Sequence, residues 1–295
     1  MRTIFKGLVT VCLATLLVEQ RGQAQQSFDV LIRGGRVVDG TGAPARQADV
    51  GVTGGRIAAV GTLTGATAKT LVEANGQIVS PGFIDVHTHA DEIAEHPFAE
   101  HFVRMGVTTV VAGNCGGSAD DVAAAIRTIE KTGVSINWAT LFGHNTVRRA
   151  VMGTERRAPT PAELAKMQSL VERAMRDGAV GFSSGLQYVP GTYADPAEIA
   201  ALATSAARHG GLYATHMRNE GTELEAAVKE ALDVGEAAMC PVEISHLKVD
   251  APSKWGASAK ALAMIDAARA RGLKVEADVY LYDAASSTLG IRFPA

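Results

Sequence analysis

The feature that most constrains the fold is an alternation, from Ser80 onward, of short apolar segments with alanine-rich helical stretches. Such alternation is typical of βα units around a parallel sheet. Two predicted helices begin with a capping residue followed by proline, Thr160-Pro161 and Asp195-Pro196. The pattern predicts an α/β fold, a (β/α)8 TIM-type barrel with its chemistry at the carboxyl ends of the strands. The predicted strands are residues 82–86, 107–112, 136–142, 180–183, 212–215, 242–245 and 274–280.

Seven strands leave an eight-stranded barrel open, and the sequence stops soon after the seventh, at Ala295. We therefore expect a chain truncated before strand 8, with the barrel region occupying residues 81–295.

The segment before the barrel has a different pattern. Short apolar stretches at residues 29–32, 48–52, 56–60 and 77–79 are separated by glycine pairs such as Gly34-Gly35 and Gly54-Gly55. Short strands divided by turn residues favour a small β-sandwich domain, which we assign to residues 25–80.

The first 24 residues have the pattern of a secretory signal peptide. Arg2 and Lys6 precede an apolar run over residues 8–18, and Gly22-Gln23-Ala24 supplies small residues before a cleavage point. The alternative is an N-terminal helix packed on the domain. A signal peptide implies an exported, periplasmic or secreted protein, which is not membrane-bound after cleavage.

Composition argues against nucleic acid as a partner and does not determine the oligomeric state. The chain is 47% hydrophobic and 20% charged, which is a globular composition. A net charge of −3 offers no basic surface for nucleic acid, so we expect none as a partner. The oligomeric state is not predictable from these features.

Four predicted strands end in side chains that zinc prefers. His87 and His89 follow the first strand with a spacing of two, so they face the same side. Cys115, His216 and His246 follow the second, fifth and sixth strands. A single histidine is more often a hydrogen-bonded core residue, but their joint position at the functional ends of the strands favours a zinc site.

The cysteines allow a second interpretation. Cys12 lies in the predicted signal peptide, and Cys115 and Cys240 could form a disulfide in an exported protein. Because Cys115 ends an apolar strand beside the histidine-bearing one, we favour metal binding.

Several motifs together resemble a known family. The run from Pro81 to His89, Pro-Gly-Phe-Ile-Asp-Val-His-Thr-His, resembles the first-strand signature of the amidohydrolase superfamily. Further motifs are similar to those of its D-aminoacylase (N-acyl-D-amino-acid deacylase) branch: Gly113-Asn114-Cys115-Gly116, Gly143-His144-Asn145, Gly181-Phe182-Ser183-Ser184-Gly185-Leu186 and Asp278-Val279-Tyr280-Leu281-Tyr282.

The resemblance implies how the metal ligands are divided. Cys115, His216 and His246 would hold one tight catalytic zinc, and His87 and His89 would belong to a second, weaker site that the same thiolate bridges. The catalytic base of the family is an Asp at the end of strand 8, so no catalytic base is expected within this chain.

The resemblance also implies three substrate-binding residues: Lys248, Tyr280 and Ser286 would meet the substrate carboxylate. Alternatives stay open, since Lys248 could be a solvated charge and Tyr280 a packed ring. Leu281 stands where the family usually has proline, so the sequence departs from the family pattern in the turn that carries Tyr280 and Ser286.

The implied reaction is zinc-dependent hydrolysis of the linear amide of a small N-acyl-D-amino acid to a carboxylate and a D-amino acid. Zinc would polarise the carbonyl and activate water, and Lys248 would select substrates that carry an α-carboxylate. The acyl group and the side chain are not specified, and D stereochemistry follows from the resemblance alone.

Three other functions compete. A cyclic-amide hydrolase of the dihydroorotase or hydantoinase type would need a lysine on the fourth strand, which is Ala179-Val180-Gly181-Phe182-Ser183-Ser184. A nucleobase deaminase would need a glutamate shortly after His216, a position that Glu220 could fill. Without strand 8, the chain could also be an inactive fragment of an enzyme.

Overall fold

The computed structural model describes residues 26–292 and separates into two compact units, one ending at Pro81 and the other beginning at Gly82. The predicted signal peptide, residues 1–24, lies outside the described residues. Within residues 26–292, no helix is long and apolar enough to cross a membrane.

The described part of the first unit is one five-stranded sheet. Its order is β3-β2-β1-β4, with β5 also paired to β1. The first three strands are antiparallel neighbours, whereas β4 and β5 run parallel to β1. The described residues of this unit thus form a sheet that is separate from the barrel sheet, and its assignment to a small β-sandwich stays a prediction. The strands are β1 (Ser27–Val37), β2 (Arg46–Thr53), β3 (Arg56–Gly61), β4 (Thr67–Glu73) and β5 (Ile78–Val79).

The second unit contains a seven-stranded parallel sheet in which each strand pairs with its neighbours in the sequence. This order confirms the predicted incomplete barrel. The seventh strand is shorter than predicted, because it ends at Ala277 and not at Tyr280. The strands are β6 (Phe83–Asp85), β7 (Val107–Ala112), β8 (Asn137–Gly143), β9 (Gly181–Gly185), β10 (Leu212–His216), β11 (Val242–Ile244) and β12 (Val275–Ala277).

The sheet curls so that side chains that follow its first and last strands come into contact. His87 follows β6 and Asp278 follows β12, the first and last strands in the order, yet His87 Nδ1 lies 3.1 Å from Asp278 Oδ2. The carboxyl ends of all seven strands therefore surround one small region.

Helices connect the strands and cover the outside of the sheet. They are α1 (Glu100–Arg104), α2 (Val122–Thr132), α3 (His144–Met152), α4 (Pro161–Arg176), α5 (Pro196–Ala207), α6 (Leu224–Ala238) and α7 (Ser258–Ala270). Short 3-10 turns occupy Ile93–Glu95, Gly191–Tyr193, Pro252–Lys254 and Leu289–Arg292. Both predicted caps are present: Thr160 forms a capping box with Glu163, and the Asp195 side chain accepts from the Glu198 amide.

The main core lies between the strands and helices α4 to α7. Alternate strand residues face outward onto the helices, as period-two geometry requires. The largest buried members are Phe182, Tyr213 and Ile244 from strands and Met167, Leu202 and Ile265 from helices. Because these strand residues face the helices, the residues between them face the opposite side of the sheet. Along β10, Tyr213 and Thr215 face the helices, and Ala214 and His216 face the opposite side.

Candidate metal centre

Cys115 lies in a turn after β7 that neighbouring elements hold in place. Its backbone is left-handed, with φ of 54°, which costs an L-residue about 1–2 kcal/mol. The next residue, Gly116, donates its amide to Ser183 Oγ at 3.1 Å and accepts from the Asn145 amide at 2.8 Å. Ser183 Oγ in turn donates to the Gly113 carbonyl at 2.5 Å. These contacts from β9 and α3 maintain the unfavourable backbone at Cys115.

Two glycines allow this close approach. Gly116 has φ of 79°, and a Cβ there would lie 2.6 Å from Asn145 Oδ1 and 2.7 Å from the Gly185 amide nitrogen. A Cβ on Gly185 would lie 2.0 Å from the Cys115 carbonyl oxygen. Any larger residue would therefore clash with these neighbours at Gly116 and at Gly185. Gly116 also has a positive φ, which favours glycine.

The Cys115 sulfur faces two imidazoles. Its Sγ lies 3.5 Å from His87 Nε2 and 3.6 Å from His246 Nε2. The opposite ring nitrogens contact carboxylates: His87 Nδ1 lies 3.1 Å from Asp278 Oδ2, and His246 Nδ1 lies 2.6 Å from Glu220 Oε1. A carboxylate on Nδ1 holds the proton there and leaves the Nε2 lone pair directed at the thiol, the arrangement of metal-binding histidines.

His246 has the same backbone signature as Cys115. Its φ is 38°, and its amide donates to Asp278 Oδ1 at 2.6 Å. Asp278 therefore fixes both the His87 ring and the His246 backbone. Left-handed non-glycine residues concentrate at functional sites, and here two of them are candidate ligands.

His216 is buried without a hydrogen-bond partner. Its side chain is 5% exposed, and neither ring nitrogen is satisfied within the described structure. Its ring stands edge-on to that of His246, with centroids 4.5 Å apart. Burial lowers the pKa of His216 to about 3, so the ring is neutral with a free lone pair. A buried imidazole with no partner fits a metal ion, which would supply the missing one.

The protonation state of the Cys115 thiol also fits a metal site. Burial, with the nearby carboxylates of Glu220 and Asp278, raises the pKa of Cys115 to about 12. The metal-free thiol therefore keeps its proton at neutral pH, and a bound cation would displace it. Cys115 and Cys240 are both free, so the structure contains no disulfide between them.

Donor atoms converge in two groups among the described residues. One comprises His87, Cys115 and His246; the other comprises His216, Glu220 and His246, each with donor atoms within 4.8 Å of one another. His246 belongs to both groups. His89 belongs to neither: it is exposed, and its ring centroid lies 5.7 Å from that of His87. The assignment of His89 to a metal site stays a prediction.

The three predicted substrate residues lie beside these groups. Lys248 Nζ forms an ion pair with Glu220 Oε2 at 2.6 Å and stands over the Tyr280 ring at 5.6 Å from its centroid. Lys248, Tyr280 and Ser286 line a cavity of about 110 Å³ together with Cys115 and His216. The structure thus gathers these residues around the metal-ligand candidates, while their role stays a prediction.

Sequence reasoning gave no role to three residues that contact the site. Asp278 was recognised only as part of a motif, and Glu220 only as a mark of a competing function. Tyr188, whose ring centroid lies 4.7 Å from that of His216, was not noticed. Asp278 fell inside the predicted seventh strand, residues 274–280, and only the structure shows that the strand ends at Ala277 and leaves Asp278 at the functional end of the sheet.

Glu220 is held as an anion by its partners. Burial opposes its ionisation, but the hydrogen bond and charge interaction with His246, followed by His216 and the hydrogen bond with Lys248, hold the pKa of Glu220 below the ordinary value. Both carboxylate oxygens are engaged, one by each partner. This arrangement disfavours the free acid-base role that a nucleobase deaminase would require.

The Gly143-His144-Asn145 motif serves the scaffold. His144 Nε2 lies 2.8 Å from Glu198 Oε1, and Arg148 pairs with the other oxygen of Glu198, all three residues being buried. This network fixes the start of α3, from which Asn145 holds the Cys115 turn.

Comparison with known proteins places these observations in context. The model of the Amidohydrolase family matches residues 70–283. An N-acyl-D-glutamate deacylase of Alcaligenes xylosoxydans xylosoxydans is 42% identical over 288 residues, covering 90% of this chain and 59% of that protein. The chain therefore spans about three fifths of this relative's length.

Two solved structures are also similar. An N-acyl-D-glutamate deacylase from Bordetella bronchiseptica, complexed with zinc and a phosphonate inhibitor that mimics the tetrahedral intermediate, gives a TM-score of 0.85 at 42% identity, covering 87% of this chain and 59% of that one. A D-aminoacylase described as having a binuclear metal center gives 0.83 at 38% identity, covering 86% and 59%.

Proposed function

Because the chain belongs to the Amidohydrolase family, we propose that the protein is a zinc-dependent hydrolase of N-acyl-D-amino acids. It would cleave their linear amide bond to a carboxylate and a D-amino acid. The observation that carries the proposal is a pair of donor groups at the strand ends that share His246: one adds His87 and Cys115, and the other adds His216 and Glu220. Neither ring nitrogen of the buried His216 is hydrogen-bonded. The similar deacylase of Bordetella bronchiseptica, which binds zinc, supports the choice of metal.

Cys115, His216 and His246 would hold the tight zinc. Thiolate and imidazole are its preferred donors, and three protein ligands leave one position open, as in catalytic zinc sites. His87 and His89 would serve a second, weaker ion that shares the thiolate. The binuclear center of the similar D-aminoacylase supports two sites. When bound, zinc supplies a Lewis acid for the scissile carbonyl and lowers the pKa of water.

The remaining residues would bind and orient the substrate. Lys248 would hold the α-carboxylate, because its ammonium lies in the cavity next to the ligand cluster. Tyr280 and Ser286, which line the same cavity, would donate further hydrogen bonds. Asp278 would keep His87 and the His246 backbone in place. The proton-transferring Asp that the family has on an eighth strand stays a prediction.

An assay of the zinc-loaded full-length protein tests the proposal. The panel comprises N-acetyl-D-amino acids, their L-enantiomers, and a cyclic amide such as dihydrouracil. We expect release of amino acid from the D-series, at least tenfold faster than from the L-series. Hydrolysis of the cyclic amide with none of the linear substrates would contradict the proposal and support a hydantoinase-type activity.

We propose further that the protein is exported. The apolar run over residues 8–18 and the small residues before Gln25 support a cleaved signal peptide. Fractionation of the native cells and N-terminal sequencing would test this. We expect a periplasmic or secreted protein beginning at Gln25, and retention of Met1 on a cytoplasmic protein would contradict it.

A further inference from the structure

Glu220 contacts two different parts of the site. Its Oε1 lies 2.6 Å from His246 Nδ1, and its Oε2 lies 2.6 Å from Lys248 Nζ. The side chain is 6% exposed, so the contacts are shielded from water. One buried carboxylate therefore contacts both a candidate zinc ligand and the candidate carboxylate-binding lysine.

The Glu220 backbone is itself fixed in position. Its carbonyl accepts from the Asp250 amide at 2.8 Å, which ties the loop after β10 to the loop after β11. The preceding Asn219 closes a turn by accepting from the Gly221 amide at 2.9 Å. The backbone from which the Glu220 carboxylate extends is thus held by contacts of both loops.

The two contacts have different chemical consequences. By accepting from Nδ1 of His246 at the shorter distance, Glu220 favours the tautomer in which Nε2 carries the lone pair that faces Cys115. Lys248 Nζ lies 3.2 Å from the same Nδ1 and donates to the His246 carbonyl at 3.3 Å, so the three side chains form one contact network. By pairing with the ammonium of Lys248, it offsets that positive charge beside the metal position and restricts where the side chain points.

We propose that Glu220 is a positioning residue that couples zinc retention to recognition of the substrate carboxylate. It holds His246 for the metal and Lys248 for the substrate with the two oxygens of one side chain. The substrate half of this inference rests on the proposed function.

The substitution Glu220→Gln tests the inference because it keeps the shape of the side chain and removes its charge. The amide retains one acceptor oxygen, so it cannot serve both His246 and Lys248. Glu223→Gln, in the same loop but exposed, is the matched control. Thermal unfolding of the zinc-saturated variants verifies that each one folds.

The first readout needs no substrate. Zinc affinity, measured by chelator competition on the full-length protein, should fall about 10–100-fold in Glu220→Gln, the range for carboxylates behind a metal ligand. The absorption spectrum of the Co²⁺-loaded protein should shift, and Glu223→Gln should match wild type in both measurements. Unchanged affinity and spectrum in Glu220→Gln would overturn the inference.

The second readout is kinetic and is made at saturating zinc. For Glu220→Gln, kcat/KM should fall at least tenfold more for an N-acetyl-D-amino acid than for its amide, which lacks the carboxylate. Equal losses on both substrates would overturn the coupling and leave Glu220 a partner of His246 alone. If wild-type protein hydrolyses neither substrate, the proposed function and the Lys248 half fail, and the zinc measurement still decides the His246 half.

Discussion

The turn that carries Cys115 and the segment that carries Tyr280 and Ser286 border the same cavity but are held very differently. Hydrogen bonds from β9 and α3 hold the turn of residues 113–118 on both sides, and Gly113, Asn114 and Gly116 within it are buried. In the segment of residues 279–287, Leu281 is 96% exposed and Tyr282 is 80% exposed.

This contrast separates two tasks of the site. The metal-ligand side consists of residues that follow the strand ends and of the hydrogen bonds that hold them. Its geometry is therefore set by the barrel. The substrate side is a loop with few buried groups, where side chains can differ without disturbing the ligands. We therefore expect substitutions in the turn to affect folding and metal together, and substitutions in the loop to affect substrate alone.

The largest effect should come from Gly116→Ala. The new Cβ would meet Asn145 Oδ1 and the Gly185 amide at 2.6 and 2.7 Å, and φ is 79°. Crowding and backbone strain together should lower the free energy of unfolding by about 2–5 kcal/mol. Gly117→Ala is the control, because its Cβ would have no neighbour within 4 Å; it should change stability by less than about 0.5 kcal/mol.

Denaturant unfolding of both variants gives the comparison. Equal free energies of unfolding for the Gly116 and Gly117 variants would contradict the close contacts of the Cys115 turn with Asn145 and Gly185.

The second effect concerns zinc retention. His216→Ala and His246→Ala should each weaken zinc binding by more than about 100-fold, the upper range for residues behind a ligand, whereas His89→Ala should cost less than about tenfold. Metal analysis after dialysis against a weak chelator measures this. His87→Ala is the decisive variant, because His87 Nε2 is as close to Cys115 as His246 Nε2 is. Loss equal to that of His246→Ala would contradict the division into tight and weak sites.

The third effect belongs to the substrate side. Lys248→Met removes a charge-assisted contact worth about 1.5–3 kcal/mol, which is roughly ten- to hundredfold in kcat/KM. Hydrolysis of N-acyl-D-amino acids should suffer, the corresponding amides much less, and zinc content should remain. If kcat/KM falls equally for both substrates, Lys248 does not bind the carboxylate.

The smallest effect should come from Ser286→Ala. Its exposed hydroxyl would contribute one neutral hydrogen bond, about 0.5–1.5 kcal/mol, or about two- to twelvefold in KM. Stability and zinc affinity should match wild type. A loss of zinc in Ser286→Ala would contradict the separation of the two sides.

The fold and the family were easier to predict from the sequence than the exact ends of the strands. Strand period and barrel chemistry were enough to predict the α/β fold, and the comparisons confirm it together with the family resemblance and the zinc of its relatives. The β4 strand was missed because Thr67–Glu73 mixes polar and apolar residues and is mostly exposed. The seventh strand was extended too far because the residues after Ala277 alternate like a strand, although Asp278 instead binds His87 and the His246 amide.

The carboxylates behind the histidines were harder to predict. Glu220 and Asp278 are 58 residues apart in the sequence, and a lone acidic residue usually indicates an exposed position. Their roles depend on which imidazole nitrogen each one meets, and only the folded arrangement determines that.

Cobalt substitution of the full-length protein tests the central claim most directly, namely that the Cys115 thiolate is a metal ligand. The protein is stripped of metal, reloaded with Co²⁺ and examined for thiolate-to-cobalt charge-transfer absorption in the near ultraviolet. We predict that wild type and Cys240→Ala both show the band and that Cys115→Ala lacks it. A band that persists in Cys115→Ala, or is absent from Co²⁺-loaded wild type, would contradict the account.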